Sequence, residues 1–149
     1  MDEKKRDLLL KDLCGRLPYG VIISVIDIDG FEFDGELSVI SNGWCKLKIS
    51  DLRKRAKVKN EIIPLNSVYI KPYLRPLSSM TEEEYDDMFH QLYSAQEEFF
   101  RNCSNTDTIG KLIANDMVRY DWLDKNMFDY RGLIPKGLAL EAKDGMYNN

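Results

Sequence analysis

The stretch V-Y-I-K-P-Y-L-R-P-L-S-S-M-T, residues 68–81, divides the chain into a part patterned like β-strands and a part patterned like helices. Its first three residues suit a strand, because branched and aromatic side chains pack well on a pleated surface. Pro72 and Pro76 lack a backbone donor and favour extended backbone in the residue before each. We therefore expect a strand that becomes stiff and does not continue into the middle of a sheet.

A helix is predicted to begin directly after this stretch. Thr81 and Glu84 have the spacing of a capping box, in which the hydroxyl accepts from a helical amide and the carboxylate accepts from the amide of the cap. Glu82, Glu83 and Glu84 also place negative charge at the positive end of the helix dipole. Because the strand patterns precede the long helices, the expected fold class is α+β.

The region before the stretch is predicted to contain one helix and a small sheet. Residues 1–15 are expected to form an N-terminal helix that ends at Gly15. Residues 16–75 show five short strand patterns, with hairpin signals at Asp29-Gly30 and Asn42-Gly43. The number, spacing and order of these strands resemble an SH3-like small β-barrel.

The region from 76 to 149 is predicted to be helical, with helices over about 82–103 and 108–127 and a tail that folds back over them. Each helix has an apolar face, and we expect the two faces to pack on other helices. The first face comprises Tyr85, Met88, Phe89, Leu92, Tyr93, Gln96, Phe99 and Phe100, and the second comprises Ile109, Leu112, Ile113, Met117, Tyr120, Leu123 and Met127. Val118 and Trp122 lie on the other side of the second helix. Trp122 is therefore either covered by residues 130–140 or exposed as an interface anchor.

Composition indicates a globular protein of 149 residues, with 44% hydrophobic and 31% charged residues. No apolar run approaches the length of a membrane span, and the three leucines after the charged N-terminus are too few for a signal-peptide core. The host-cell cytoplasm is the expected location.

Cys14, Cys45 and Cys103 are odd in number and lack C-x-x-C spacing, which argues against a disulfide framework and a zinc site.

Charge is unevenly distributed along the chain. Residues 1–80 contain 14 basic and 11 acidic residues, whereas residues 81–149 contain 7 and 14. The densest basic segment is a loop with Arg53, Lys54, Arg55, Lys57 and Lys59. Near Trp44, Tyr69 and Tyr73, such a loop can hold phosphates while bases stack on the rings, although an ordinary solvated loop explains the same pattern.

No catalytic, cofactor-binding or metal-binding residues are predicted, and no small-molecule substrate is implied. His90 is the only histidine, and the acidic residues around it on the helix fit a solvated face. The acidic hairpin from Asp27 to Glu36 fails the calcium-loop pattern, because Glu32 stands where that loop needs glycine. A Gly-rich phosphate loop is also missing from the sequence.

Three segments resemble uncharacterised small proteins encoded in phage and prophage regions of gut anaerobic bacteria. They are K-D-L-C-G-R-L-P-Y-G-V at 11–21, I-K-P-Y-L-R-P-L-S-S-M-T-E-E-E at 70–84 and R-Y-D-W-L-D-K-N-M-F-D-Y-R-G-L-I-P-K-G-L-A-L-E-A at 119–142. The resemblance implies a phage or prophage context and transfers no functional residue. Members often carry histidines where Lys125-Asn126-Met127 stand here, so a site built on those histidines is not expected in this chain.

The leading functional hypothesis is a non-catalytic interaction protein of phage or prophage type that binds another protein or itself, with Trp122 and Val118 as candidate interface residues. The alternative is a nucleic-acid-binding module that uses the basic loop. A third hypothesis, a hydrolase with a carboxylate site, would rest on Asp27, Asp29 and Asp34.

Overall fold

The computed structural model describes residues 1–49, 59–65, 69–102 and 108–147 and has an α+β architecture. Its helices and strands pack around two hydrophobic clusters. The helices are α1 Glu3–Arg16, α2 Glu82–Asn102 and α3 Thr108–Lys125, and the strands are β1 Ile22–Ile26, β2 Glu32–Ile40, β3 Trp44–Ile49, β4 Lys59–Pro64, β5 Tyr69–Leu74 and β6 Leu140–Glu141. In the described ranges, none of the helices has the length and apolar character needed to cross a lipid bilayer.

The six strands form one sheet with the order β4-β3-β2-β1-β5-β6. Strands β1 to β4 follow one another as antiparallel neighbours, and β5 returns to the far side of β1, with Val25 opposite Ile70. The two-residue strand β6 then pairs in parallel with the end of β5, with Tyr73 opposite Leu140.

The predicted closure into an SH3-like barrel is not confirmed, because this sheet is open. Among the described residues, β4 and β6 are its two edge strands. The tail supplies β6 and so occupies part of the β5 edge that faces away from β1. The end of the tail therefore extends the sheet. Its start lies against the helices, because Tyr130 packs on the cluster between α2 and α3.

The local turn and cap signals are present in the structure. The Asp27 carboxylate accepts hydrogen bonds from the Asp29 and Phe31 amides at 2.9 and 2.8 Å, and Gly30 has a φ of 81°. At the start of α2, the Glu84 amide donates to Thr81 Oγ1 at 3.2 Å and the Thr81 amide donates to Glu84 Oε2 at 3.0 Å. The hairpin and the capping box are thus both formed.

The sequence predicted that α1 ends at Gly15, but the helix continues to Arg16. The glycine lies directly against the Asp124 side chain of α3. Its function is therefore to allow the close approach of two helices. The N-terminus of α1 is capped by Asp2, whose carboxylate accepts from the Lys5 amide at 2.9 Å.

The main hydrophobic cluster lies between α1, the sheet and the tail. It includes Leu9 and Leu13 of α1, Ile23 and Val25 of β1, and Leu133, Leu138 and Ala139 of the tail. A smaller cluster joins α2 to α3 through Met88, Leu92, Trp122, Leu123 and Phe128. Burying side chains of this size contributes roughly 1.5–3 kcal/mol each to stability.

Helix α3 packs on α2 with the side opposite to most of its predicted apolar face. Trp122 is only 4% exposed, and Val118 packs on the smaller cluster. The Trp122 indole N–H donates to the Asp87 carboxylate of α2 at 2.9 Å, and the ring stacks on Phe128 at 5.8 Å between centroids. These contacts orient α3 so that part of its apolar stripe faces outward.

Candidate functional site

The helical pair α2–α3 carries two exposed apolar stripes, which we call the α2 stripe and the α3 stripe. On α2, large side chains at spacings of four are half exposed or more, with Tyr93 at 64%. On α3, the most exposed member is Met117 at 67%. The α2 stripe consists of Tyr85, Phe89 and Tyr93, and the α3 stripe consists of Leu112, Ile113, Met117 and Tyr120.

The stripes are left exposed because the inner contacts between the two helices use other side chains. Met88 and Leu92 are the α2 residues buried in the smaller cluster, and Gln96 donates a hydrogen bond to Asn115 at 2.8 Å. Tyr85 and Phe89 contact each other, with ring centroids 4.9 Å apart. Clustered exposed apolar side chains are typical of interaction surfaces rather than of an ordinary solvated face.

The α2 stripe has acidic surroundings. Its helix carries exposed carboxylates in the first two turns and again beside Tyr93, including Glu82, Asp86 and Glu97. An apolar stripe bordered by carboxylates is complementary to a surface that is apolar and basic. Two α2 stripes placed against each other would bring like charges together, which disfavours that form of self-association.

A buried ionic cluster joins α1, α3 and the tail. Arg16 and Asp12 are fully buried and form two hydrogen bonds, at 2.8 and 2.9 Å, while Arg16 Nη2 also donates to the Phe128 carbonyl at 2.8 Å. Arg131 Nη1 lies 3.0 Å from Asp12 and 3.4 Å from Asp124. Burial raises the pKa of Asp124, opposed by the Arg16 charge. Two arginines thus balance two aspartates, which suits a structural element that fixes α1 against α3.

A cleft of about 760 Å³ lies where the sheet, the start of α2 and the tail meet. Its charged lining is mixed. Arg75 and Glu84 are paired at 2.7 Å, and a hydrogen bond from Arg75 lowers the pKa of Glu84. A hydrogen bond to Asp121 raises the pKa of Tyr19, another lining residue, to about 12. No group of three potential metal ligands occurs in the part of the chain that the structure describes.

The basic loop of the nucleic-acid hypothesis falls largely outside the described residues. Arg53, Lys54, Arg55 and Lys57 lie in the range 50–58, and Lys59 is described only as the first residue of β4.

The aromatic residues expected beside this loop are not gathered together. Trp44 lies on β3, whereas Tyr69 and Tyr73 lie on β5, and β2 and β1 stand between the two strands. Tyr73 is buried and donates to Asp34 at 3.2 Å. Of these three aromatic residues, Trp44 and Tyr69 are exposed.

The other residues that the sequence singled out are Trp122, His90 and the acidic residues of the first hairpin. Trp122 is covered by α2 and Phe128, and Tyr130 is the tail residue that packs on its cluster. His90 is exposed on α2. Asp27 accepts from turn amides, and Asp34 contacts Tyr73.

Comparison with known proteins gives no match among family models, curated proteins or solved structures.

Proposed function

We propose that this chain is a non-catalytic interaction protein of phage or prophage type that binds a partner protein through the helical pair. The observation that carries the proposal is that both apolar stripes are exposed, although the smaller cluster between the same two helices is buried. Large apolar and aromatic side chains on a folded helix are the residues that anchor protein interfaces.

The partner surface is inferred from the charge of α2. Because carboxylates border the α2 stripe, a partner helix that presents leucines on one face and lysines on the other is complementary. The α2 residues Tyr85, Phe89 and Tyr93 repeat every four positions, which is the repeat along one face of a helix. A basic amphipathic helix is therefore the occupant that the surface supports.

The test is titration of the full chain with a fluorescent amphipathic peptide made of leucine and lysine. We expect saturable binding that Phe89→Ser weakens by about tenfold or more, because the peptide loses an aromatic anchor while the charge of the surface stays the same. Ile62→Ser is the matched control, because Ile62 is 66% exposed but lies on β4. Absence of binding, or equal loss in both variants, contradicts the proposal.

Sedimentation equilibrium separates a partner protein from a second copy. It is measured for the unaltered chain and for Phe89→Glu, Met117→Glu and Ile62→Glu. We expect the unaltered chain to be a monomer at all concentrations. A dimer that dissociates in Phe89→Glu and Met117→Glu but persists in Ile62→Glu would assign the stripes to self-association instead.

A nucleic-acid-binding module is the second candidate, supported by the outer face of β3. Trp44, Lys46 and Lys48 alternate with the buried Cys45 and Leu47, so an exposed ring and two cations share one face of the strand that leads into the basic loop.

A labelled single-stranded oligonucleotide tests this candidate. Four phosphate contacts predict a log–log salt slope of about −3. Changing Arg53, Lys54 and Arg55 to Glu should then abolish binding without loss of fold, and the absence of binding below roughly 100 μM at low salt excludes the candidate.

A further inference from the structure

A second cleft, of about 550 Å³, lies between the first turns of α1, the start of β5 and the tail. We call it the cationic cleft, because four basic side chains line it: Lys5 and Arg6 of α1, Lys71 of β5 and Lys136 of the tail. Among the described residues, the lining contains no carboxylate. This is unusual in a chain whose net charge is −4.

The cleft exists because β6 is short. Strand β5 runs from Tyr69 to Leu74, but β6 pairs only with Tyr73 and Leu74. The first half of that β5 edge is therefore not covered by β6. Residues Tyr69, Ile70 and Lys71 line one side of the opening, and the first turns of α1 line another.

Within the described part of the chain, the cations of the cleft are not paired with acidic side chains. In the described ranges, no carboxylate lies within ion-pair distance of Lys5, Arg6 or Lys71. Arg6 Nε is buried and has no hydrogen-bond partner among the residues that the structure describes. Lys136 Nζ is held at 3.0 Å by the Arg131 and Gly132 carbonyls, which fixes its charge at the rim. An anion that enters the cleft would therefore meet positive charges that nearby carboxylates of the described chain do not neutralise.

An aromatic ring and an apolar floor accompany the charges. Tyr69 is 75% exposed and lines the cleft, and Leu65, Ile70 and Leu138 are buried side chains of the lining. The volume is within the range of small-molecule sites. Phosphate oxygens suit the lysines and the arginine, while a planar base suits the ring of Tyr69.

From these observations we infer that the cationic cleft binds a small phosphate-bearing ligand. A nucleoside diphosphate is the form of this ligand whose base would also contact the ring of Tyr69. Lys5, Arg6 and Lys71 contact the phosphates, and Tyr69 stacks on the base. This site is separate from the α2 and α3 stripes, so it stands whether or not the helical pair binds a partner.

Isothermal titration of the full chain with ADP and with inorganic pyrophosphate tests the inference. We expect both to bind saturably at low salt, and Lys71→Glu and Lys5→Glu to weaken each by roughly tenfold or more. Tyr69→Ser should weaken ADP and leave pyrophosphate unchanged. Lys11→Glu is the matched control, because Lys11 is an exposed lysine of the same helix outside the cleft.

Three results would overturn the inference. The first is no saturable binding of either probe up to about 1 mM, which is weaker than a useful small-molecule site. The second is equal weakening in Lys11→Glu and Lys5→Glu, which would show only attraction to overall charge. The third is tighter binding of a single-stranded oligonucleotide than of ADP, lost in the same cleft variants, which would assign the surface to nucleic acid.

Discussion

The Asp124 carboxylate of α3 approaches Gly15 of α1 so closely that its Oδ2 atom lies 2.6 Å from the position of a Cβ on that glycine. The carboxylate has little freedom to move away, because Arg131 and Arg16 lie at 3.4 and 3.7 Å from its Oδ1. A side chain at position 15 would therefore force the Asp124 carboxylate away from its arginine partners.

Gly15→Ala is expected to destabilise the chain, although alanine favours a helix by about 1 kcal/mol over glycine. The overlap with Asp124 should reverse that gain and lower the free energy of unfolding by about 1–3 kcal/mol. Urea unfolding measures this change in the free energy of unfolding. Gly43→Ala is the control, because nothing lies within 4 Å of a Cβ there. A stabilised Gly15→Ala variant would disprove the close approach.

Arg16→Met is expected to lower the free energy of unfolding by about 3–5 kcal/mol, because Asp12 and the Phe128 carbonyl lose a buried donor. Arg119→Met should change it by less than about 0.5 kcal/mol, because its pair with Asp116 is exposed. Denaturant unfolding of both variants makes the comparison. Equal effects would mean that the Arg16 cluster is not buried.

Trp122→Ala is expected to cost about 3–5 kcal/mol of stability, because a large buried aromatic side chain is removed from the smaller cluster. Trp122→Phe should cost less, since it keeps a ring against Phe128 and loses the hydrogen bond to Asp87. Thermal melting ranks the two variants. An unchanged melting temperature for Trp122→Ala would place the residue at the surface.

Acid should weaken the contact between Arg75 and Glu84. The pKa of Glu84 is lowered from its ordinary value of 4.5, so the pair contributes fully above the unfolded pKa and is lost as the pH falls through the lower folded value. Both side chains are partly exposed, which limits the contribution to about 0.2–1 kcal/mol. Glu84→Gln should remove this part of the pH dependence below 4.5. Urea unfolding of Glu84→Gln and of the unaltered chain at neutral and acidic pH makes the comparison, and an unchanged pH dependence in Glu84→Gln would contradict the prediction.

Local signals in the sequence predicted local structure well. The capping box of Thr81 and Glu84 and the Asp29-Gly30 turn depend on residues within a few positions of each other, and both are formed. The alternation along β3 also holds, with Cys45 and Leu47 buried. These features follow from backbone conformation and short-range hydrogen bonds.

Features that depend on distant residues could not be predicted in this way. Strand β6 is two residues long and exists only because β5 pairs with it. The side of α3 that is buried depends on Asp87 of another helix, and the cationic cleft gathers Lys5, Lys71 and Lys136 from three segments. Arg16 gave no sign of burial, because arginine is ordinarily exposed and its partners lie far along the chain.

The link from Arg16 to the Phe128 carbonyl spans 112 positions, and that from Asp12 to Arg131 spans 119. On the ribosome, α1 and the first strands emerge well before these partners do. The Arg16 and Asp12 side chains then remain in water until α3 and the start of the tail have been synthesised, so the order of synthesis delays the final packing of α1. A translation arrest before residue 124 would therefore leave a chain whose first helix lacks its partners and remains accessible to chaperones and proteases.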